Sequence, residues 1–253
     1  MFKIEFMSDM RNIRLVIAFD GTAYCGWQTQ SATPSIQGVV SAALSKITGE
    51  AVSLTGSGRT DAGTHARRFV ANFFTGSKIP ADRLPPALNT ALPRDIRILT
   101  AREVPADFHA RKNARSKIYR YQIHAGSILP PHLMREYFHF PYPIDFDRMA
   151  AAARFFPGEH DFASYAKTGS GVSNTVRRIL RCELRQRGSL VHLTVEGNGF
   201  LHHMVRNMAG TLLEVGRGRI SLSDFAALFE KRDRTKAGFT APAHGLILVK
   251  VRY

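Results

Sequence analysis

Of the chain's 253 residues, 44% are apolar and 22% charged, enough to bury a core as one large domain or as two of about 100–130 residues. Lysine and arginine number 35 against 20 aspartates and glutamates, and the net charge of +15 points to a polyanionic partner, nucleic acid ahead of an anionic membrane surface. No apolar run approaches the ~18 residues of a membrane span, Met1–Asn12 lacks the apolar block of a secretion signal, and Cys25 and Cys182 stand alone. A membrane span, a disulfide scaffold and a thiolate zinc site are therefore not expected, and a cytoplasmic protein is.

Arg14–Phe19 (RLVIAF) is β-branched and apolar and predicts a strand, with a turn at Asp20-Gly21-Thr22. Tyr24, Trp27 and Gln28-Thr29-Gln30 make an aromatic, polar loop. Thr33-Pro34 predicts a helix start, Thr33 as cap and Pro34 in the first helical position. Ile36, Val39, Val40, Ala43, Leu44 and Ile47 follow at helical spacing up to Gly49. Ala51–Leu54 and Phe69–Phe74 read as strands on either side of Gly56–Ala66. Pro80–Leu92 predicts a helix interrupted by Pro85-Pro86, and Asp95–Val104 a strand. The order β-α-β-β-α-β over the first ~110 residues is that of a compact ferredoxin-like unit, with helices on one side of an antiparallel sheet.

Lys117–His124 (KIYRYQIH) predicts the next strand. Asp145 is expected to cap a helix running to Phe156, and Gly169–Ser173 reads as a loop. Val176–Gln186 and Leu190–Gly197 read as strands joined by Arg187-Gly188-Ser189. Leu201–Val215 carries Leu201, Met204, Val205, Met208, Leu212 and Val215 on one helical stripe. A helix capped by Ser221 and a strand Leu246–Tyr253 complete a second α/β half. The two halves are bounded as residues 1–110 and 111–253, with no sequence-level repeat between them.

The most unusual stretch is Gly56–Ala66, which packs three glycines, Arg59, Asp61 and His65 into eleven residues. Glycines let the backbone turn sharply and approach a ligand. A carboxylate held there beside an arginine is a candidate nucleophile or base. On spacing alone the solvated turn is the favoured reading, since most aspartate-containing turns are only turns. A second group is Phe200–Asn207, where a mostly apolar helix carries Arg206. If that helix is buried, Arg206 needs an anion, and Asp61 is the natural one. His202 and His203 are adjacent, not four apart, so no helix-borne metal pair is expected.

Basic residues cluster at Arg111, Lys112, Arg115, Lys117 and Arg120, and again at Arg177, Arg178, Arg181, Arg185 and Arg187. In the second cluster, period-two alternation puts Arg181, Glu183, Arg185 and Arg187 on one face and Leu180, Cys182 and Leu184 on the other. Phe108, Tyr119, Tyr121 and Phe200 lie among these charges, a pattern that suits phosphate neutralisation with base stacking, although Tyr121 fits the sheet core as well. The chain has no Walker loop, no G-x-G-x-x-G after a strand and no G-x-S-x-G elbow, and its carboxylates are too few for a two-metal nuclease.

Gly58-Arg59-Thr60-Asp61-Ala62-Gly63-Thr64-His65-Ala66 resembles the signature G-R-T-D-A-G-V-H-A of the tRNA pseudouridine synthase A family, with Thr64 in place of the valine. Asp20-Gly21 with Tyr24 and Gly26-Trp27-Gln28, Asp107–Arg111, Tyr119-Arg120-Tyr121, Asp161-Phe162, Phe200–Asn207, Gly210, Leu212–Gly216 and Gly245-Leu246 fall in the same family's order. The resemblance covers about residues 13–253. The first dozen residues have no counterpart in it, and Met7 or Met10 is a candidate start.

The resemblance implies an isomerase that converts uridine to pseudouridine at positions 38 to 40 of the tRNA anticodon stem-loop, with no metal and no organic cofactor. It implies a homodimer with tRNA across both subunits. The fold implied is α+β: two ferredoxin-like halves around a continuous, mainly antiparallel sheet, with the active site in the cleft between them. By position, Asp61 is the nucleophile and Arg206 its partner. Tyr119 stacks on the target base, Arg59 helps hold the flipped-out nucleotide, and Leu246 walls the pocket. Phe108, His109, Ala110, Arg111 and Lys112, with part of Gly169–Asn174, contact tRNA. The competing class is a non-catalytic RNA-binding module with the same double sheet. A base methyltransferase would need a cofactor loop that the sequence lacks.

Overall fold

The computed structural model describes residues 10–30, 33–169 and 171–253; the candidate start at Met7 and Ser170 of the 169–173 loop lie outside them. The fold is α+β with a large, mostly antiparallel sheet. Two compact units divide the chain: one runs to Arg115 and includes Lys250–Tyr253, the other is Ser116–Val249.

In the first unit, β1 (Arg11–Phe19), α1 (Ile36–Thr48), β2 (Thr55–Gly56), β3 (His65–Thr75), α2 (Leu84–Ala91) and β4 (Ile96–Val104) follow in order. β1 pairs antiparallel with β3, Leu15 opposite Ala71, and with β4, Leu15 opposite Ala101, while β2 pairs with β3. Strand alternation puts Ile13, Leu15, Ile17 and Phe19 on one face of β1, and all are buried, as are Ile36, Val40, Ala43 and Leu44 of α1 and Leu84 and Leu88 of α2. Burying each of these larger side chains contributes about 1.5–3 kcal/mol, so the apolar alternation of RLVIAF fixes which face points inward.

Three sequence expectations shift here. α1 starts at Ile36 with Ser35 as its cap, not at Pro34 with Thr33, because Pro34 and Ile36 first pair with the neighbouring loop: Cys25 N–H donates to Pro34 O and Ile36 N–H to Gly26 O. Ala51–Leu54 forms no strand. Its polar backbone is served by α1 side chains instead, Gln37 Nε2 donating to Leu54 O and Val52 N–H to Ser45 Oγ, and only Thr55-Gly56 join β3. Pro85 and Pro86 do not interrupt a helix but sit in the first turn of α2, where missing N–H groups cost nothing.

The second unit holds β5 (Ser116–His124), β6 (Phe138–His139), α3 (Phe146–Ala153), β7 (Gly158–Asp161), β8 (Val176–Arg187), β9 (Leu190–Gly197), α4 (Met204–Gly216), α5 (Leu222–Lys231) and β10 (Leu246–Arg252), whose last residues belong with the first unit. The neighbour order β10-β5-β9-β8 repeats the order β4-β1-β3-β2 of the first unit, strand for strand in a second β-α-β-β-α-β series. Asp145 caps α3 as expected, its carboxylate accepting from Arg148 N–H at 3.0 Å, but the helix stops at Ala153, short of the expected Phe156. α4 starts at Met204, because His203 is in the left-handed conformation with φ 64°. It is buried on almost every side, Arg206 and Glu214 being its half-buried positions.

The alternation expected along β8 is broken. A bulge between Ile179 and Arg181 shifts the register against β9, so Ile179 packs inward and Leu180 is half exposed. The arginines beyond it are partly neutralised on their own strand: Glu183 bridges Arg181 at 3.2 Å and Arg185 at 3.1 Å. These are exposed pairs worth at most about 1 kcal/mol, so both remain available to a stronger anion.

Candidate active site

Asp61 sits half-buried in a turn closed by Thr64 N–H donating to Asp61 O at 3.1 Å, with Gly63 at φ 77°. The loop after β1 braces this turn through the main chain. Trp27 N–H donates to Thr60 O at 3.4 Å and Gly63 N–H to Tyr24 O at 3.3 Å. A Cβ at Gly26, whose φ is 98°, would collide with the Thr60 carbonyl, and one at Gly21 with the Thr64 carbonyl. Both glycines are therefore required for backbone to meet backbone.

Side chains lock the brace from behind. Gly21 N–H donates to Nδ1 of buried His65 at 3.1 Å, and a carboxylate oxygen of Asp20 lies 3.1 Å from the same ring atom. The Tyr24 hydroxyl donates to Asp95 at 2.8 Å, and burial, with that carboxylate beside it, pushes the phenol's pKa above its usual value. Trp27 is buried and stacks on Phe69 with ring centroids 4.1 Å apart. The motifs containing Asp20, Tyr24, Trp27 and Asp61, separate in sequence, thus build one support for a single carboxylate. Arg59, on the same turn, is exposed and donates through Nε to Gln28 at 3.2 Å.

Thr64 is almost completely buried and its hydroxyl has no hydrogen-bond partner among the described residues. A buried, unpaired hydroxyl is destabilising, and valine has the same shape without it. Thr64→Val should therefore raise stability by about 1 kcal/mol in thermal or denaturant unfolding. A loss of stability would show that the hydroxyl has a partner.

In the second unit, β5 alternation puts Tyr119, Tyr121 and Ile123 on one face. Tyr119 meets Phe200 edge-to-face at 5.0 Å. Tyr121 is core: it is fully buried, its hydroxyl donates to Pro242 O at 2.7 Å, and burial drives its pKa up against the opposing charge of Arg206. α4 is largely buried, as expected, but Arg206 is one of its half-buried positions, so the large cost that a fully buried, unpaired charge would carry does not attach to it. Its Nε donates to Ala241 O at 2.7 Å. Leu246, buried, opens β10 directly after the 243–245 turn.

Of the five residues expected to contact tRNA, Arg111 and Lys112 are exposed and the other three are built into the first unit. Ala110 is fully buried, its N–H donating to Asn72 Oδ1 at 2.9 Å and its carbonyl accepting from the Tyr253 hydroxyl at 2.7 Å. His109 Nδ1 accepts from the N–H groups of Arg111 and Lys112 at 3.1 and 3.3 Å. Phe108 packs 5.1 Å from Tyr253, with the Arg14 guanidinium 6.0 Å from its ring. The buried amides of Asn12 and Asn72 hold the loop down: Asn12 donates to Pro105 O and Phe108 O, and Asn72 donates to Asn12. Sequence reasoning missed both, although a lone amide in an apolar strand, as in RNIRLVIAF, is a signal that something must be paired there.

The structure thus gathers Asp61 and Arg59 on one braced turn and carries Phe108–Lys112 on a second loop of the same unit. Tyr119, Arg206 and Leu246 belong to the other unit.

A family model described as tRNA pseudouridine synthase matches residues 15–111 and 152–253. A protein of Caldicellulosiruptor saccharolyticus named tRNA pseudouridine synthase A is 47% identical over 244 residues, spanning 96% of this chain and 100% of that protein. Proteins of the same name from Caldicellulosiruptor bescii and Acetivibrio thermocellus are 46% and 44% identical over the same shares.

Proposed function

Because the chain belongs to the tRNA pseudouridine synthase family, we propose that it isomerises uridine to pseudouridine at positions 38 to 40 of the tRNA anticodon stem-loop, as a homodimer and with no metal or organic cofactor. The carrying observation is the Asp61 turn, a family signature held rigid by main-chain bonds from a second family motif. The bond from ribose C1′ to base N1 breaks, the base turns, and a bond from C1′ to C5 forms while the C5 proton moves to solvent and N1 gains one. Atoms balance without a redox partner, which is why side chains alone suffice. The base must leave the stack to be reached.

Asp61 acts as nucleophile, with Arg206 pairing its carboxylate and keeping it ionised. Tyr119 stacks on the extruded base, Arg59 holds the flipped nucleotide and Leu246 walls the pocket. Arg111 and Lys112 bind phosphate, while Phe108, His109 and Ala110 hold that loop in place. The net charge of +15 supports a phosphate-dominated interface, whose affinity should fall steeply with salt.

Purified protein incubated with unmodified tRNA and a chelator, and nothing else, should form pseudouridine at one or more of positions 38 to 40, with no change in RNA mass. Binding without isomerisation would leave an RNA-binding module. A requirement for an added metal or methyl donor would move the protein to another reaction class.

A further inference from the structure

Within the second unit, the segment Gly238–Gly245 lies directly on α4. Gly238 N–H donates to Thr211 Oγ1 at 3.0 Å, and that hydroxyl donates to Asn207 O at 2.7 Å. A Cβ at Gly210 would collide with the Phe239 carbonyl, and one at Gly238 would sit 2.6 Å from Thr211 Cα. The close approach makes the strap and the helix move as one body. At its far end the strap receives Arg206 and a core tyrosine: Ala241 O accepts from Arg206 Nε at 2.7 Å, and Pro242 O accepts from the Tyr121 hydroxyl at 2.7 Å. Gly245 then lies against the Tyr121 ring, and Leu246 follows.

Arg234 fastens the near end. Its Nη1 donates to Gly238 O at 2.8 Å, and its Nη2 to Asn207 Oδ1 and Thr240 Oγ1, both at 3.0 Å. The Thr240 hydroxyl donates to the same Asn207 oxygen at 2.7 Å, and Asn207, fully buried, donates through Nδ2 to Tyr165 O at 2.7 Å. These acceptors are neutral oxygens. A partly desolvated guanidinium spent on neutral acceptors is a costly way to tie a loop, and its planar fork is what a lysine cannot copy. Asn207 is the neighbour of Arg206 on α4, so the clamp grips both the helix that carries Arg206 and the carbonyl that orients its guanidinium.

We propose that Arg234, working through Asn207 and Thr240, is a positioning residue that sets the orientation of Arg206 for the isomerisation. It touches neither RNA nor the reacting atoms. The inference rests on the functional reading above. Full-length Arg234→Met should bind unmodified tRNA with wild-type affinity, while its single-turnover rate constant at saturating enzyme falls by about 100-fold, the usual effect of a misplacement near one ångström. In an Arg206→Lys background, which keeps the charge but loses the Nε donor to Ala241, the Arg234 substitution should cause little further loss, because the two act as one unit. Equal fold-losses in both backgrounds, or an unaltered rate constant, would overturn the proposal. Should Arg234→Met not fold, Thr240→Val removes a single link and should lower the rate constant by about tenfold with the same dependence on Arg206. Wild-type protein that makes no pseudouridine would overturn the functional reading, and this inference with it; an active wild type with an equally active Arg234→Met overturns the inference alone.

Discussion

Asp61→Asn should lose pseudouridine formation by on the order of 10⁴-fold or more in single-turnover assays, the scale of removing a nucleophile from a working site. Asparagine preserves the shape, removes the charge and replaces one acceptor oxygen by an NH2 donor. The turn itself does not depend on that charge, since Thr60 O, Gly63 N–H and the Asp61 carbonyl are held by main-chain bonds. Unfolding stability should therefore fall by about 1 kcal/mol or less, the scale of a partly exposed ion pair. Affinity for tRNA should persist because phosphate neutralisation by the chain's 35 lysines and arginines supplies most of it. Pseudouridine made by the purified variant at a wild-type rate would remove Asp61 from its assigned role.

Gly26→Ala should cost both activity and stability without touching a reacting group. At φ 98° alanine is strained by about 1–2 kcal/mol, and its Cβ would also meet the Thr60 carbonyl. The turn holding Asp61 must then move, and a shift near one ångström is worth about 100-fold in turnover. Gly49 separates strain from collision: it caps α1 at φ 73° with no atom within 4 Å of a Cβ. Gly49→Ala should thus lose about 1 kcal/mol of stability and no activity. Equal activity losses in the two variants would mean that general destabilisation, not displacement of the turn, is responsible.

Much of the architecture is legible in residue order because the strands carry strong local signals. RLVIAF alternates on a buried face, LVHLTVEG forms β9 over Leu190–Gly197 as expected, and the α4 stripe is buried at each position named for it. What local pattern misses is decided by distant partners. Ala51–Leu54 is apolar enough for a strand, yet α1 side chains take its backbone. Leu180 falls on the inward face by counting, yet a bulge turns it out. For the site, a single stretch marks Asp61, but nothing near it in sequence reveals that Gly21, Gly26 and Trp27 support it. Arg234 is less visible still, since Asn207 lies 27 residues away in the chain and the backbone oxygen of Gly238 leaves no mark in a side-chain pattern.

The placement of residues 250–253 with the first unit has a consequence for biosynthesis. Ala110 O waits for the hydroxyl of a tyrosine 143 residues further along the chain, and Arg115 N–H for Arg252 O. At about 5–20 residues per second, the 134 residues of Ser116–Val249 take roughly 7–27 s to translate. During that interval the first unit exists on the ribosome with its 105–113 loop held by Asn12 and Asn72 but lacking Tyr253. The 105–113 loop thus gains its last side-chain hydrogen bond only after the second unit has been made, so the first unit is completed by the final residues to leave the ribosome.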